Sequence, residues 1–436
     1  MVNTKIIPVN IDTAPELSLN VEDVKQLKND LENYFSLFAP LFGRREQREW
    51  ARLYLTGLFL NIPRKSIEAM VLEMMGDNQN AVRAMQNFSE SPWNDTPIIH
   101  RLWVEVDNTL GDEDGAYLLD GSDFPKAGTE SAGVKRQHCG ELGKTANCQA
   151  GVFVGYASSK GYTLVNRRLY LPSEWVNDPE FQERRDKTGI PEDIVFKTKN
   201  ELAAEMLTEL QEAQIIRARW VMADEAFGRD TVLLDAITGL GLIYFAEVPL
   251  DTHVWRERPL TEIPEWSGTG RKPTREKLCE GSTPSERVSD IAASLKPSDW
   301  QQRCIIKEGS EGPIIADIAA MRVSAVRNGL PGPDIWLVFR FNVAKQELKA
   351  FVCSAPSDTP FTKLVWACGM RWPIEMCFRG GKQLIGMGDY EVRGFVGWHH
   401  HMTLVMLAFF FFGTRLLQIK QNFTGNNNLS SPRFNK

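Results

Sequence analysis

The stretch Ala116-Tyr-Leu-Leu-Asp120 is an apolar run that ends in a carboxylate, and a second run of the same form, Ala218-Arg-Trp-Val-Met-Ala-Asp224, lies further along the chain. Short apolar runs bounded by polar residues are typical of buried strands. We therefore predict that Asp120 closes one strand and that Asp224 closes another. Aspartates at strand ends also serve as turn or cap residues, so this placement alone does not assign them a function.

The elements around these two runs alternate in type. The residue pattern predicts, in order, strand 151–157, strand 162–170 after the turn 158–161, helix 200–214, helix 231–237 capped by Asp230, and strand 242–248. With the two runs, this gives three strands, a helix, a strand, a helix and a strand, which is the order of the RNase H-like fold. The first and fourth strands of that fold are neighbours, so Asp120 and Asp224 are expected to lie side by side.

The rest of the chain consists of regions with different composition. Residues 21–110 show helical spacing of apolar residues, whereas 251–355 begin rich in Pro, Gly, Ser, Arg and Glu and then regain strand-like stretches. The predicted fold class is therefore α/β, an RNase H-like mixed sheet flanked by helices, with an inserted mainly β region and a helical N-terminal domain. The predicted domains are a flexible N-terminus 1–20, a helical region 21–110, the first part of the core 111–250, the insertion 251–355, the second part of the core 356–420, and a disordered tail 421–436.

Composition and charge are those of a globular protein. The 436 residues are 43% hydrophobic and 24% charged, enough for two or three domains with sizeable cores. The net charge is −6, whereas nucleic-acid binders usually carry a basic excess, so non-specific DNA binding is expected to be weak and salt-sensitive. The seven cysteines include no CxxC pair and no secretory leader is visible, which predicts a reducing cytoplasm. The strongest apolar run, Met402–Phe412, is too short to span a bilayer and predicts a buried helix.

A third carboxylate lies in a cationic segment. The sequence from Arg371 to Lys382 is Arg-Trp-Pro-Ile-Glu-Met-Cys-Phe-Arg-Gly-Gly-Lys, so on a helix Glu375 shares one face with Arg371, Arg379 and Lys382. Such a face suits a metal ion beside a phosphate backbone. The alternative is a solvated face on which Glu375 pairs with its two arginine neighbours.

Three carboxylates on rigid elements suit phosphodiester cleavage. Two divalent ions about 3.5–4 Å apart can activate a water or hydroxyl and stabilise the leaving oxygen. Magnesium needs only a few carboxylate ligands besides the substrate phosphate. We therefore predict that Asp120, Asp224 and Glu375 are catalytic residues and metal ligands, with Asp123 and Glu225 as alternatives at the first two positions.

Several motifs resemble those of bacterial insertion-sequence transposases of the DDE superfamily, over roughly residues 32–415. Arg371, Glu375 and Lys382 match the Tyr-Arg-Glu-Lys signature of this group in residue type and spacing. The other similar segments are Asp120–Gly128 with its continuations Gly133–Gln137 and Gly140–Gln149 at the first aspartate, Arg168–Pro172 and Trp175 after it, Ala223–Arg229 at the second aspartate, and Gly397–His401 with Thr403 and Leu404 near the end.

The resemblance implies an activity as well as a fold. It implies an RNase H-like core with an insertion before the glutamate, cleavage at transposon ends, and attack of the freed 3′-hydroxyl on target DNA. Asp120, Asp224 and Glu375 carry over as ligands of two Mg²⁺ ions, for which Mn²⁺ can substitute. The implied partners are double-stranded DNA, as transposon ends and target, and a second copy of the chain on that DNA, in the bacterial cytoplasm.

Seven basic residues are predicted to contact DNA. They are the signature residues Arg371 and Lys382, their helix neighbour Arg379, Lys126 in the first-aspartate motif, and the cluster Arg44, Arg45 and Arg48 in the helical region, which becomes the predicted DNA-binding region. A solvated surface is the alternative interpretation of that cluster.

The chain departs from the family pattern at three positions. Cys368 stands where the signature has tyrosine, and Gly121 and Ser122 follow the first aspartate where many relatives have an acidic residue or threonine. Two other functions stay open: a nuclease of the same fold that cuts without joining, and a catalytically inactive DNA-binding regulator.

Overall fold

A computed structural model describes residues 21–266, 268–309 and 312–427. They form two units, one of residues up to Ala218 together with those from Trp372 onward (unit 1), and one of Arg219–Arg371 (unit 2). The predicted flexible N-terminus 1–20 lies outside the described residues. So do residues 428–436 of the predicted tail, whereas 421–427 belong to a helix.

Unit 1 begins with helices, as predicted. Ser66 and Asn78 cap the third and fourth of them by accepting hydrogen bonds from the backbone N–H groups three residues later. The helices are α1 Val21–Ser36, α2 Arg45–Gly57, α3 Ile67–Met75, α4 Gln79–Glu90 and α5 Thr96–Leu110. The helical N-terminal part of the predicted fold class is therefore confirmed.

The sheet of unit 1 is built around one long strand. Its strands are β1 Ala116–Pro125, β2 Lys135–Cys139, β3 Lys144–Ser158 and β4 Gly161–Tyr170. β1 pairs antiparallel with one edge of β3, and β2 and β4 pair antiparallel with the other edge. The predicted turn between β3 and β4 is confirmed.

The prediction that the first strand ends at Asp120 is wrong. β1 continues for five residues, and Asp120 lies in its middle, opposite Phe153. The physical reason is Phe124, which is fully buried and contacts Phe153, so pairing with β3 is favourable beyond the carboxylate. The Gly121-Ser122 pair resembles the start of a turn but is compatible with extended backbone.

Unit 1 is completed by helices that come before and after unit 2 in the sequence. These helices are α6 Ser173–Asn177, α7 Gln182–Thr188, α8 Lys199–Ala213, α13 Trp372–Gly380, a π-helical turn Gly381–Ile385, and α14 Phe395–Asn427. Helix α8 begins with a capping box in which Thr198 and Glu201 exchange hydrogen bonds. α13 and α14 pack on the sheet, and α14 also contacts α2, α4 and α5.

Helix α14 contains the apolar run that the sequence singled out. Its segment Phe395–Gln418 is long and apolar enough to cross a bilayer, which is longer than the predicted eleven-residue run. However, 78% of its most apolar 18-residue stretch is buried inside the structure, and Trp398, Met402 and Leu407 are fully buried. It is the central core helix of unit 1, as the interpretation of a buried helix expected.

Unit 2 contains a mixed sheet. β5 Trp220–Ala223 is parallel to β6 Ile243–Val248, with α9 Glu225–Gly228 and α10 Thr231–Gly239 between them, and Asp230 caps α10 as predicted. The remaining elements are β7 His253–Trp255, β8 Thr261–Glu262, β9 Lys277–Leu278, β10 Glu286–Arg287, α11 Val288–Ser294, β11 Gln301–Gly309, β12 Gly312–Arg327, β13 Leu330–Asn342, β14 Glu347–Cys353 and α12 Phe361–Ala367. The sheet continues antiparallel from β6 through β14 and β13 to β12, and β12 also pairs with β7 and β11. The α/β class with a mixed sheet and a mainly β insertion is confirmed.

Gly228 allows α9 to approach β6. A Cβ atom at this position would lie 2.0 Å from the carbonyl oxygen of Glu247, which belongs to the β6 backbone. Gly228→Ala is therefore expected to lower the free energy of unfolding by about 1–3 kcal/mol, because the helix must move off the strand. Gly239→Ala at the end of α10 is the matched control, since its Cβ would meet nothing within 4 Å. Urea unfolding of both variants checks this, and equal stability of the two would contradict the close approach.

Candidate active site

Asp120 lies on the face of the unit 1 sheet against which α13 packs. It is directly opposite Phe153, and opposed residues of paired strands share a face. The ring of Phe153 contacts that of Phe378 in α13, with centroids 5.4 Å apart. The Asp120 side chain is half-buried, and its Oδ1 accepts a 2.7 Å hydrogen bond from the N–H of Gly121.

Glu375 lies in the first turn of α13, and its side chain is exposed although Ile374 and Met376 beside it are buried. Glu375 and Phe378 are three positions apart, so they are neighbours on the helix surface. Because Phe378 packs on Phe153, opposite Asp120, unit 1 carries both predicted carboxylates on one side of its sheet. Two residues far apart in the sequence are thus brought to a common face.

Asp224 directly follows β5 in unit 2, as predicted. Its Oδ1 accepts hydrogen bonds from the backbone N–H groups of Ala226 at 3.0 Å and Phe227 at 3.2 Å, so it caps α9. Burial raises the pKa of Asp224 above its ordinary value, although the Phe227 N–H and the nearby Arg371 guanidinium oppose that rise. A carboxylate held in a partly desolvated position is stabilised by a cation. The cap function and a metal-binding function are therefore compatible.

The two alternative carboxylates are held by local interactions. Asp123 lies on the other face of β1 from Asp120, since the two are an odd number of residues apart, and its Oδ2 accepts a 2.7 Å hydrogen bond from Gly140 N–H. Glu225 forms a 2.6 Å ion pair with Arg229 on the surface of α9. Because Asp120 and Asp224 also accept local hydrogen bonds, Asp123 and Glu225 remain alternatives to them.

The Lys382 side chain is bound to the β2–β3 turn. Its ammonium forms an ion pair with Glu141 and donates a 3.2 Å hydrogen bond to the carbonyl oxygen of Asp123. It also lies 5.4 Å from the ring centroid of Phe124. This ammonium is therefore positioned near β1, and contact with a phosphate would compete with Glu141.

Lys126 points inward. Its ammonium lies 3.4 Å from the ring centroid of Tyr390 and donates a 3.2 Å hydrogen bond to the Tyr390 carbonyl oxygen. Burial, reinforced by the positive charge of Arg64 and opposed by Glu391, lowers the pKa of Lys126 to about 8. Its predicted DNA contact would require the ammonium to leave Tyr390.

The basic cluster of the helical region is exposed but partly neutralised. Arg44, Arg45 and Arg48 are all exposed. Arg45 forms a 2.9 Å ion pair with Glu49, and the Nε of Arg48 donates to the carbonyl oxygen of Phe42 at 3.1 Å. In the glutamate helix Arg379 is likewise exposed, whereas Arg371 is half-buried. These five arginines remain predicted DNA contacts.

The departures from the family pattern have different structural settings. Cys368 is buried, and burial raises the pKa of its thiol to about 12, so it provides neither a phenol nor a thiolate. Gly121 has φ in the ordinary extended range, and a Cβ there would lie 3.7 Å from the nearest atom, the Gly151 carbonyl oxygen. The glycine beside Asp120 is therefore not required by packing.

The donor types fit a hard divalent cation, because all three predicted ligands are carboxylates. Across residues 21–266, 268–309 and 312–427, however, no group of three or more His, Cys, Asp or Glu side chains is close enough to hold a metal ion. The assignment of Asp120, Asp224 and Glu375 thus rests on residue type, on their positions within each unit and on the family motifs.

Sequence reasoning missed Glu141, the partner of Lys382. The two residues are 241 positions apart, so no local pattern joins them. The signal that was available is the turn Gly140-Glu-Leu-Gly143, which joins β2 to β3 and contains Gly143 at φ 60°. Glycines at both ends of a four-residue connection indicate a hairpin, and this hairpin carries Glu141 to Lys382.

Comparison with known proteins gives one family. The model of a family described as DDE superfamily endonuclease matches residues 37–313 of the 436. The matched region includes Asp120 and Asp224 and ends before Glu375. No curated protein matches the chain.

Proposed function

Because the chain belongs to the DDE superfamily of endonucleases, we propose that it is a transposase, which cleaves DNA at the ends of an insertion sequence and joins those ends to target DNA. Endonuclease membership makes DNA its substrate. The proposal adds the identity of the DNA and the joining step, and it adds the residues that perform them. The common sheet face of Asp120 and Glu375 in unit 1 is the observation that carries it.

Asp120, Asp224 and Glu375 are proposed to hold two Mg²⁺ ions, with Mn²⁺ as a substitute. When bound, the ions would activate the attacking oxygen and stabilise the leaving oxygen of the cleaved bond. The chain's own part is to present the carboxylates on regular elements: the strand β1, a helix cap and a helix face. The partly desolvated position of Asp224 supports this, because it increases the benefit of a cation.

The basic residues named above are proposed to hold the DNA. Arg371 lies close enough to Asp224 to oppose the rise in its pKa that burial causes, which is consistent with an arginine that contacts a phosphate next to the ligand. Arg379 and Lys382 extend the same cationic segment, and Arg44, Arg45 and Arg48 would contact the DNA from the helical region. We also propose that the chain acts in the cytoplasm as a dimer on DNA, because joining requires two ends to be held together.

The test is incubation of the full chain with a labelled DNA that carries the ends of its own element, with Mg²⁺ or with a chelator. We expect metal-dependent nicking at the ends, followed by transfer of the nicked strand into a supercoiled target plasmid. Denaturing gels report nicking, and label in the plasmid reports joining.

The same assay separates the two other functions. Nicking without transfer, at sites unrelated to the ends, would identify a nuclease that cuts without joining. Binding to the ends by a folded protein that shows no nicking in Mg²⁺ or Mn²⁺ would identify an inactive regulator. The inactive regulator is worth testing because the buried Cys368 replaces the tyrosine of the family signature.

A further inference from the structure

The β2–β3 hairpin, residues 135–148, has one face that is turned to solvent. Directly opposed pairs place Arg136 with Asn147 and His138 with Thr145 on this outer face. Arg136, His138 and Thr145 are exposed and Asn147 is half-buried. The opposite face carries the buried Cys139 and Cys148. The hairpin is thus packed on one face at its two cysteines, although Lys135 and Lys144 on that face are exposed, and it is open on the other face.

The outer face consists only of side chains that can donate hydrogen bonds. An arginine, a histidine, a threonine and an asparagine occupy its four positions, and none of them is acidic or apolar. Among the described residues, Arg136 forms no ion pair, whereas Lys135, one position earlier, pairs with Glu174 at 2.5 Å. The outer face therefore carries the unneutralised charge of Arg136, and Lys144, which also forms no ion pair among the described residues, lies on the opposite face next to the turn.

The hairpin is anchored beside the strand that carries Asp120. Gly140 N–H donates to the Asp123 carboxylate at 2.7 Å, and Glu141 pairs with Lys382. Asp123 is three residues from Asp120, which corresponds to about 10 Å along a strand. The turn of the hairpin is thus anchored on the same strand as the proposed catalytic carboxylate, about 10 Å along that strand.

We propose that this hairpin is a DNA-binding ribbon, whose outer face contacts phosphates of the strand next to the cleaved bond. Arg136 is the principal contact, and His138, Thr145 and Asn147 support it as further hydrogen-bond donors. A rigid two-stranded ribbon of donors suits a phosphate backbone, because phosphate oxygens are acceptors only. The proposal rests on the proposed DNA substrate and adds a surface outside the Tyr-Arg-Glu-Lys signature.

Binding of the full chain to a labelled duplex tests the proposal, in chelator so that no cleavage occurs. A duplex of arbitrary sequence suffices, since phosphate contacts carry no sequence information. Arg136→Ala is expected to weaken binding about tenfold. It is also expected to reduce the slope of log affinity against log salt by about 0.9, the contribution of one phosphate contact. Arg136→Lys, which keeps the charge, should retain most of the affinity.

Lys135→Ala is the matched control. It removes the same charge from the neighbouring position but from the packed face, so we expect less than about a threefold change and an unaltered salt slope. Thermal unfolding of each variant confirms that the exposed substitutions leave the fold intact. Equal effects of Arg136→Ala and Lys135→Ala would overturn the proposal, as would a wild-type chain that binds no duplex.

Failure of the proposed transposase function can be distinguished from failure of the DNA-binding ribbon. A wild type that binds DNA through Arg136 but never nicks it would refute the transposase and leave the ribbon standing. A wild type that nicks and joins, with unchanged DNA binding in Arg136→Ala, would refute the ribbon alone.

Discussion

Asp224→Asn is expected to reduce Mg²⁺-dependent cleavage about 10³-fold, because a metal ion supplies several kcal/mol of transition-state stabilisation and each 1.36 kcal/mol is a factor of ten. The substitution should leave the fold intact. Asparagine is as good an N-cap as aspartate, and its Oδ1 can keep both hydrogen bonds from Ala226 and Phe227. The loss would therefore report on charge and metal binding. Cleavage rates under single-turnover conditions, with unfolding curves alongside, measure it.

Neighbouring carboxylates provide matched controls. Glu225→Gln removes the next negative charge in the chain, which pairs with Arg229 on the surface, and should change cleavage less than about twofold. Asp120→Asn and Asp123→Asn form a second pair on opposite faces of β1, and only the first should abolish cleavage. Glu375→Gln should behave like Asp120→Asn. A loss in Glu225→Gln together with full activity in Asp224→Asn would transfer the ligand assignment to Glu225.

Arg167→Met is expected to lower the free energy of unfolding by about 3 kcal/mol, because it leaves the largely buried carboxylate of Asp95 without its cationic partner. Arg167 of β4 is 5% exposed and pairs with Asp95, which precedes α5. Its Nη2 also donates to the Thr403 hydroxyl of α14 at 2.9 Å. This group joins the N-terminal helices, the sheet and the core helix of unit 1. Urea unfolding at neutral pH measures the loss.

Arg168→Met is the control for this prediction. Arg168 is the next residue of β4 and pairs with Glu209, but that ion pair is half-exposed, so its loss should be about 1 kcal/mol or less. Adding Asp95→Asn to Arg167→Met should recover much of the stability, since the remaining buried charge is removed. Equal losses in the two arginine variants would contradict the buried pair.

The same pair predicts a pH dependence. Burial would by itself raise the pKa of Asp95. Arg167, His399, His400 and the Thr403 hydroxyl nevertheless hold this pKa at about 2, below its ordinary value of 3.8. A depressed folded-state pKa means that the stabilisation is fully present above 3.8 and is lost as the pH falls toward 2. The stability difference between wild type and Arg167→Met should therefore shrink by up to about 2 kcal/mol between pH 4 and pH 2. A constant difference over that range would contradict the assignment.

Much of the central fold could be predicted because its signals are local. Gly161 has φ 153° where the β3–β4 turn ends, and Asp230 at the start of α10 accepts hydrogen bonds from the N–H groups of Val232 and Leu233. β5 is a short, wholly buried strand, and such strands are recognisable as apolar runs. Where turn chemistry and apolar pattern agree, the sequence predicts the element.

The missed elements depend on pairing across the sheet. β2 has the sequence Lys-Arg-Gln-His-Cys, of which only Cys139 is buried, and it is extended because it pairs with β3. The last five residues of β1 are likewise stabilised by contacts of Phe124 rather than by their own propensity. For such segments tertiary contacts override local preference, and a single sequence does not show them.

The candidate site divides in the same way. Asp120, Asp224 and Glu375 could be named from strand ends, helix faces and family motifs. Their environments could not be predicted. The hydrogen bonds that Asp224 accepts as a helix cap, the ion pair of Lys382 with Glu141 and the contact of Lys126 with the Tyr390 ring all depend on the fold. The choice of Asp120 over Asp123 and of Asp224 over Glu225 stays a proposal, which the matched substitutions above test.

The central claim is that carboxylates of this chain bind the catalytic metal, and Asp224→Cys tests it most directly. Carboxylate oxygen suits Mg²⁺ and Mn²⁺, whereas a thiolate is a softer ligand that Mg²⁺ accepts poorly. We predict that the variant does not cleave DNA in Mg²⁺ and regains cleavage in Mn²⁺, while wild type is active in both. Cleavage by Asp224→Cys at the wild-type rate in Mg²⁺, or wild-type cleavage that persists in chelator, would contradict the account.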